Sequence, residues 1–388
     1  EMIIPHDKNH VLGVYHKAGA KEVEMAIEAA LEARKEWAAM PWEHRIAVFL
    51  KMADLLAGPW RSTIIAATML GQSKVVHQAE IDATCELIDF WRFNCSYMTQ
   101  IMSEQPYSPD GMWNRLEYRP LEGFVFAVSP FNFTSIGGNL PTAPAMVGNV
   151  ALWKPASSSV YSSYFLMRLF EAAGLPKGVI NFVPGSGGEV GTPAMTSPHL
   201  AGIHFTGSTE VFQGMWKTVA DNLKDSKYYP RVVGETGGKN FTFAHNSADV
   251  DALVVAALRA AFEYQGQKCS AASRMYIPKS IWDEFKTKYI TEVERKNRSL
   301  QNKLNSMQKG PELSELGDLD GVLPDLIGQL DGILPKWATK FIKGQPDLVN
   351  TVIEYAKSNP DKAKELIGRF VKIKPATKSA NDESVSGL

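Results

Sequence analysis

The chain has 388 residues, 45% hydrophobic and 21% charged, with a formal net charge of −1. That charge argues against nucleic acid as the main partner, and no apolar run reaches the roughly 18 residues of a membrane span. Cys85, Cys95 and Cys269 make no disulfide framework and have no zinc-site spacing, so no metal is expected and a reducing compartment is. The length predicts two or three domains. Starting at Glu1 with no targeting segment, the chain reads as a fragment or processed form.

Helical periodicity opens the chain. Residues 21–37 put Val23, Ile27, Ala30, Leu31 and Trp37 near one face, with Lys and Glu opposite. His44 to Ala57 repeats the pattern and stops at Gly58-Pro59. A third helix ends near Gly71. A long fourth covers about 74–103, with Cys85 and Cys95 expected in its core face. Pro106, Pro109, Asp110 and Gly111 then mark a loop.

From Phe124 short β-rich runs alternate with helical ones. Strands are expected at 124–128, 151–153, 179–183, 202–205 and 231–234. Helices are expected at 139–148, 159–173, 189–196 and 209–223. Such alternation implies an α/β fold with a doubly wound parallel five-stranded sheet, Rossmann-like, behind the N-terminal helices. Ligands of these sheets bind at the carboxyl ends of the strands. Small, polar and ionisable residues follow each strand here: Ser129-Pro-Phe-Asn132, Lys154-Pro155, Gly185-Ser-Gly-Gly188, Thr206-Gly-Ser208 and Glu235-Thr-Gly-Gly-Lys239.

Two of these edges bear on phosphate. Gly185 to Gly191 imitates the dinucleotide fingerprint but carries Val190 where the third glycine belongs, and reads as a turn. The Thr206–Thr209 junction is better placed. Ser208 or Thr209 can cap the helix that follows, and a helix N-terminus offers free N–H groups to a phosphate; an ordinary cap explains it equally well.

Cys269 follows an apolar helical run, in a Gly-Gln-Lys loop. Lys268, or a short helix starting at the cysteine, would favour the nucleophilic thiolate. A buried, inert cysteine is the other reading. Likewise Asn132 could close its strand as an Asx-turn, and Glu235 could be a solvated or Lys-paired carboxylate.

Five motifs in order resemble the aldehyde dehydrogenase superfamily: Ser-Pro-Phe-Asn-Phe (129–133), Leu-Trp-Lys-Pro (152–155), Phe-Thr-Gly-Ser (205–208), Gly-Glu-Thr-Gly-Gly-Lys-Asn (234–240) and Gly-Gln-Lys-Cys-Ser-Ala (266–271). Further detail resembles the branch acting on L-glutamate 5-semialdehyde: Phe131, the run Ser135-Ile-Gly-Gly-Asn-Leu140, Gln78-Ala-Glu-Ile-Asp-Ala83 and Ala261-Phe-Glu-Tyr264. The resemblance implies Cys269 as nucleophile, Asn132 with the Cys269 backbone N–H as oxyanion donors, and Glu235 as general base. It implies NAD as cofactor, contacted by Ser129, Lys154, the segment Gly207, Ser208, Thr209, Glu210 and Val211, and the Gly237-Gly238 backbone. The implied reaction is oxidation of that semialdehyde to L-glutamate in proline catabolism, in the mitochondrial matrix, by a homo-oligomer.

The resemblance runs to about residue 298. It implies a dinucleotide-binding domain over 1–235 and a partial catalytic domain over 236–298. The loop gripping the substrate carboxylate and the dimerisation strands are expected to lie beyond this chain. Residues 299–388 read as an unrelated helical tail, its last ten or so residues disordered. There Leu319-Asp-Gly-Val-Leu-Pro324 recurs as Leu330-Asp-Gly-Ile-Leu-Pro335, and residues 336–378 carry ten Lys or Arg against four acids. Two alternatives remain: a catalytically silent cofactor-binding or interaction protein, and an aldehyde dehydrogenase of other specificity.

Overall fold

The computed structural model describes residues 1–309. The expectations for 310–388 lie outside the described residues. Two compact units divide at Phe285 and Lys286.

The first unit opens with a hairpin that periodicity did not reveal, β1 (Met2–Ile4) and β2 (Asp7–Gly13). Four helical stretches follow: α1 (Ala20–Ala39), α2 (Trp42–Ala57), α3 (Arg61–Gln72) and a stretch from Val76 to Ser103. The last was expected as one α-helix and is not. A short turn α4 (Val76–Ala79) and α5 (Glu86–Ser103) flank a π-helical segment, Glu80–Cys85, whose extra residue lets the Glu86 N–H reach the Ile81 carbonyl. The insertion shifts the phase of the side chains. Cys95 is buried in the core as expected. Cys85 lies in the π turn and is only half-buried, with the Arg61 guanidinium 3.4 Å from its sulfur.

The five expected strands form one parallel sheet, in the order β5-β4-β3-β6-β7. They are β3 (Phe124–Val128), β4 (Ala151–Lys154), β5 (Ile180–Phe182), β6 (Leu200–Thr206) and β7 (Arg231–Glu235). Every residue of β3 is buried, as a central strand covered on both faces requires. The intervening helices are α6 (Thr134–Met146), α7 (Val160–Ala173), α8 (Gly187–Met195) and α9 (Thr209–Asp221). Helix α6 starts five residues earlier than the expected 139–148 and holds Pro141 and Pro144. Those prolines and the Gly137-Gly138 pair mask its beginning in the sequence. Trp91, Trp153, Phe170 and Phe182 interlock edge-on or tilted within the core.

The strand order reverses direction beside β3, which makes the carboxyl edge between β3 and β6 the switch point. Val128 pairs with both Lys154 and Phe205, and Thr206 pairs with Glu235. That register sets the ends of four strands at one level.

Beyond the sheet, β8 (Asn240–Phe243) and β9 (Ala272–Tyr276) pair in parallel, joined by α10 (Val250–Phe262). Helix α11 runs from Lys279 to Lys309. Its stretch 286–309 is the described part of the second unit and carries local ion pairs such as Arg295–Glu292 at 2.6 Å. Among the described residues no helix is long and apolar enough to cross a membrane.

Candidate active site

Three of the expected residues meet at the β7 end of the switch edge. Cys269 is half-buried in a turn closed by the Ala271 N–H on the Lys268 carbonyl, just before β9. The Glu235 carboxylate, at the end of β7, lies near enough to the Cys269 thiol to raise the thiol pKa. From the other side Asn132, following β3, donates its side-chain amide to the Gln267 carbonyl at 3.0 Å. The amide therefore leans on the cysteine loop and not on its own backbone, as an Asx-turn would have it. An amide has two N–H donors, and this bond engages one.

The electrostatics differ from the sequence expectation. Burial, and after it the hydrogen bond and negative charge of Glu235, push the Cys269 thiol up from its ordinary range. No helix starts at Cys269. Lys268 does not face the thiol: its ammonium lies 3.2 Å from Asp82 and 3.6 Å from Glu263. Burial and Glu235 both favour the protonated thiol over the thiolate.

Glycine supplies the closeness. A Cβ on Gly238 would fall 2.2 Å from the Cys269 carbonyl oxygen, so only glycine lets the β7–β8 connection pass there. Gly237, by contrast, faces open space. The Gly207 N–H donates to the Glu235 carbonyl at 3.1 Å, which ties the end of β6 to the end of β7.

The expected cofactor residues line the same edge toward β4. Lys154 is 8% exposed, and burial lowers its pKa. Among the described residues its ammonium has only the Pro155 carbonyl, at 3.2 Å. Two of its three N–H donors therefore stand buried without a protein acceptor, a cost that a polar ligand would relieve. Ser129 accepts the Trp153 indole N–H at 2.9 Å, and its own N–H bonds the Lys154 carbonyl. Ser208 caps α9 by accepting the Val211 N–H at 3.3 Å, while Glu210 and Val211 are exposed. A buried ammonium with donors to spare, on the same sheet edge as a capped helix start, fits an anionic ligand bearing hydroxyls, such as a dinucleotide. The Gly185 turn plays another part: Ser186 caps α8, and a Cβ on Gly185 would meet the Ala18 carbonyl at 2.8 Å.

Sequence reasoning passed over Lys74 and Asp82. Both are buried, and they pair at 2.6 Å beneath the cysteine loop. Lys74 lies in the connection before α4; the helical run bearing Asp82 was legible but not its π turn, so no periodicity pointed Asp82 inward.

The sequence pattern of the aldehyde dehydrogenase family matches residues 1–315. The delta-1-pyrroline-5-carboxylate dehydrogenase of Agaricus bisporus is 53% identical over 292 residues, which are 75% of this chain and 53% of that protein. The mitochondrial delta-1-pyrroline-5-carboxylate dehydrogenase of Homo sapiens is 50% identical over 293 residues, 76% of this chain and 52% of that one. Among solved structures, the delta-pyrroline-5-carboxylate dehydrogenase from Mycobacterium tuberculosis bound with NAD is similar at TM-score 0.73 and 55% identity, over 75% of this chain and 54% of the other. The chain spans about half the length of the curated relatives it matches. A pattern that runs unbroken from the hairpin through both strand pairs, and half-identical relatives along the same stretch, settle the kinship: the chain belongs to the aldehyde dehydrogenase family.

Proposed function

We propose that the protein oxidises L-glutamate 5-semialdehyde, the open form of pyrroline-5-carboxylate, to L-glutamate with NAD, in the mitochondrial matrix. The observation that carries this reading is the convergence on the cysteine loop of the Asn132 amide, bonded to Gln267 two residues before Cys269, and of the Glu235 carboxylate, whose charge the Cys269 thiol feels. The names of the relatives support the substrate, and the mitochondrial relatives support the compartment.

Glu235 accepts the thiol proton as the sulfur adds to the aldehyde carbon. The new alkoxide is met by the Cys269 backbone N–H and the Asn132 amide, and such a donor is worth roughly a hundred- to a thousandfold in rate. Bound NAD would supply the acceptor for the hydride that leaves the substrate carbon. A thioester on Cys269 remains. Once Glu235 has passed that first proton to solvent, its carboxylate deprotonates the water that cleaves the thioester, releasing glutamate and the free thiol. Lys154, Ser129, the Gly237 backbone and the α9 start, from Gly207 through Ser208, Thr209 and Glu210 to Val211, would hold the dinucleotide.

The test is NADH formation from pyrroline-5-carboxylate by the chain and by Cys269→Ala. Turnover by the chain, lost by roughly a thousandfold or more in the variant, is expected. Equal, nonzero rates in both would remove Cys269 as nucleophile. NAD binding without turnover by the chain would favour a silent cofactor-binding protein instead.

A further inference from the structure

The strongest unexplained feature is a buried ionic knot under the cysteine loop. Asp82 is 2% exposed and lies in the π-helical segment. One of its carboxylate oxygens takes the Lys74 ammonium at 2.6 Å, and the same carboxylate takes the Lys268 ammonium at 3.2 Å. Lys74 also donates to the backbone carbonyl of Asn132, and its charge sits over the rings of Phe133 at 4.5 Å and Tyr264 at 4.6 Å. Lys268 directly precedes Cys269. One carboxylate thus reaches two segments far apart in sequence, one bearing the candidate oxyanion donor and the other the thiol.

The loop needs such an anchor. Tyr264 and Gln265 adopt left-handed backbone at φ of 50° and 54°, and Gly266 follows at 71°. Consecutive non-glycine residues there are strained and persist only where their surroundings impose them. Tyr264 is buried, with its hydroxyl on the Gln72 carbonyl at 2.7 Å and its ring under Lys74. The remaining charged groups facing the knot are Glu263, 3.6 Å from Lys268, and Glu86, held by the Ser135 hydroxyl.

We propose that Asp82 is the positioning residue of this site: through Lys74 and Lys268 it holds the Asn132 segment and the Cys269 loop in mutual register. Its role in turnover rests on the function proposed above; its role as a clamp does not. A π turn is what this asks for, since it aims Asp82 into a gap between two loops while α5 continues in its own phase.

The test compares Asp82→Asn and Lys268→Met in the full chain by amide hydrogen exchange. Asp82→Asn is expected to speed exchange about tenfold or more in both 131–134 and 266–271, and Lys268→Met in 266–271 alone. In the same samples kcat falls about tenfold or more while NAD affinity, read by calorimetry, stays within about twofold, because only reacting groups have lost their register. Wild-type exchange in both segments of either variant overturns the proposal, as does equal loosening across the whole sheet. Should Asp82→Asn not fold, Lys268→Met decides alone, since its ammonium lies nearer the surface. If the unaltered chain forms no NADH, the enzymatic reading fails while the exchange pattern still decides the clamp.

Discussion

At the residue scale, Cys269 shows how a neighbour can hold a reactive group in reserve. A cationic neighbour in sequence suggested a lowered thiol pKa, but Lys268 spends its charge on Asp82 and Glu263. Burial and Glu235 instead raise the thiol. The sign of the Glu235 effect is plain: a negative charge near the sulfur opposes a thiolate. Glu235→Gln removes that charge, so the pH midpoint for iodoacetamide alkylation of Cys269 should move down. A midpoint that stays in place or rises would show that the thiol does not feel Glu235. The same variant should lose thioester hydrolysis, so that an acylated enzyme accumulates.

At the element scale, the β7–β8 connection is shaped by one glycine and not its neighbour. Ala at 238 sets a methyl against the Cys269 backbone carbonyl, which cannot swing aside as the Asn240 side chain also facing it can. Gly238→Ala should cost about 1–3 kcal/mol, and Gly237→Ala, which meets nothing, should stay within about 0.5 kcal/mol. Urea unfolding midpoints of the two variants read the contrast directly. Comparable losses in both would mean the connection is constrained by backbone conformation and not by the approach to Cys269. The π turn makes the same point inside a helix: one added residue re-aims Asp82 without ending the helical run.

At the scale of the whole molecule, a buried thiol couples stability to pH. Cys95 lies in the core with its pKa pushed up to about 11 from an ordinary 9.0 by burial. Between those values the unfolded chain has released a proton that the folded chain keeps. Unfolding is therefore favoured as pH rises through that window, by on the order of 2 kcal/mol in all. The stability difference between the chain and Cys95→Val should be constant below the window and shift against the chain across it. A difference that stays flat through alkaline pH would mean Cys95 ionises in the fold as it does in water. The core that imposes this also supports the site: β3, buried along its length, delivers Ser129 and Asn132 to the switch edge.

Helical periodicity and short β-rich runs marked most of the helices, the five strands and the edge on which the site lies, because local hydrophobic patterning reflects which surfaces a segment must bury. Five short motifs, read in order, also named Cys269, Glu235 and Asn132. The tertiary structure alone decided what those groups meet. Strand β2 of the N-terminal hairpin is mostly exposed, with four polar residues in a row, so no alternating pattern marked it. The π turn leaves no trace in composition, and the pairing of Asp82 with Lys74 and Lys268 joins positions up to 186 residues apart. Whether a lysine beside a cysteine activates it depends on which carboxylate reaches the ammonium first, and that is a property of packing, which the order of residues along the chain does not state.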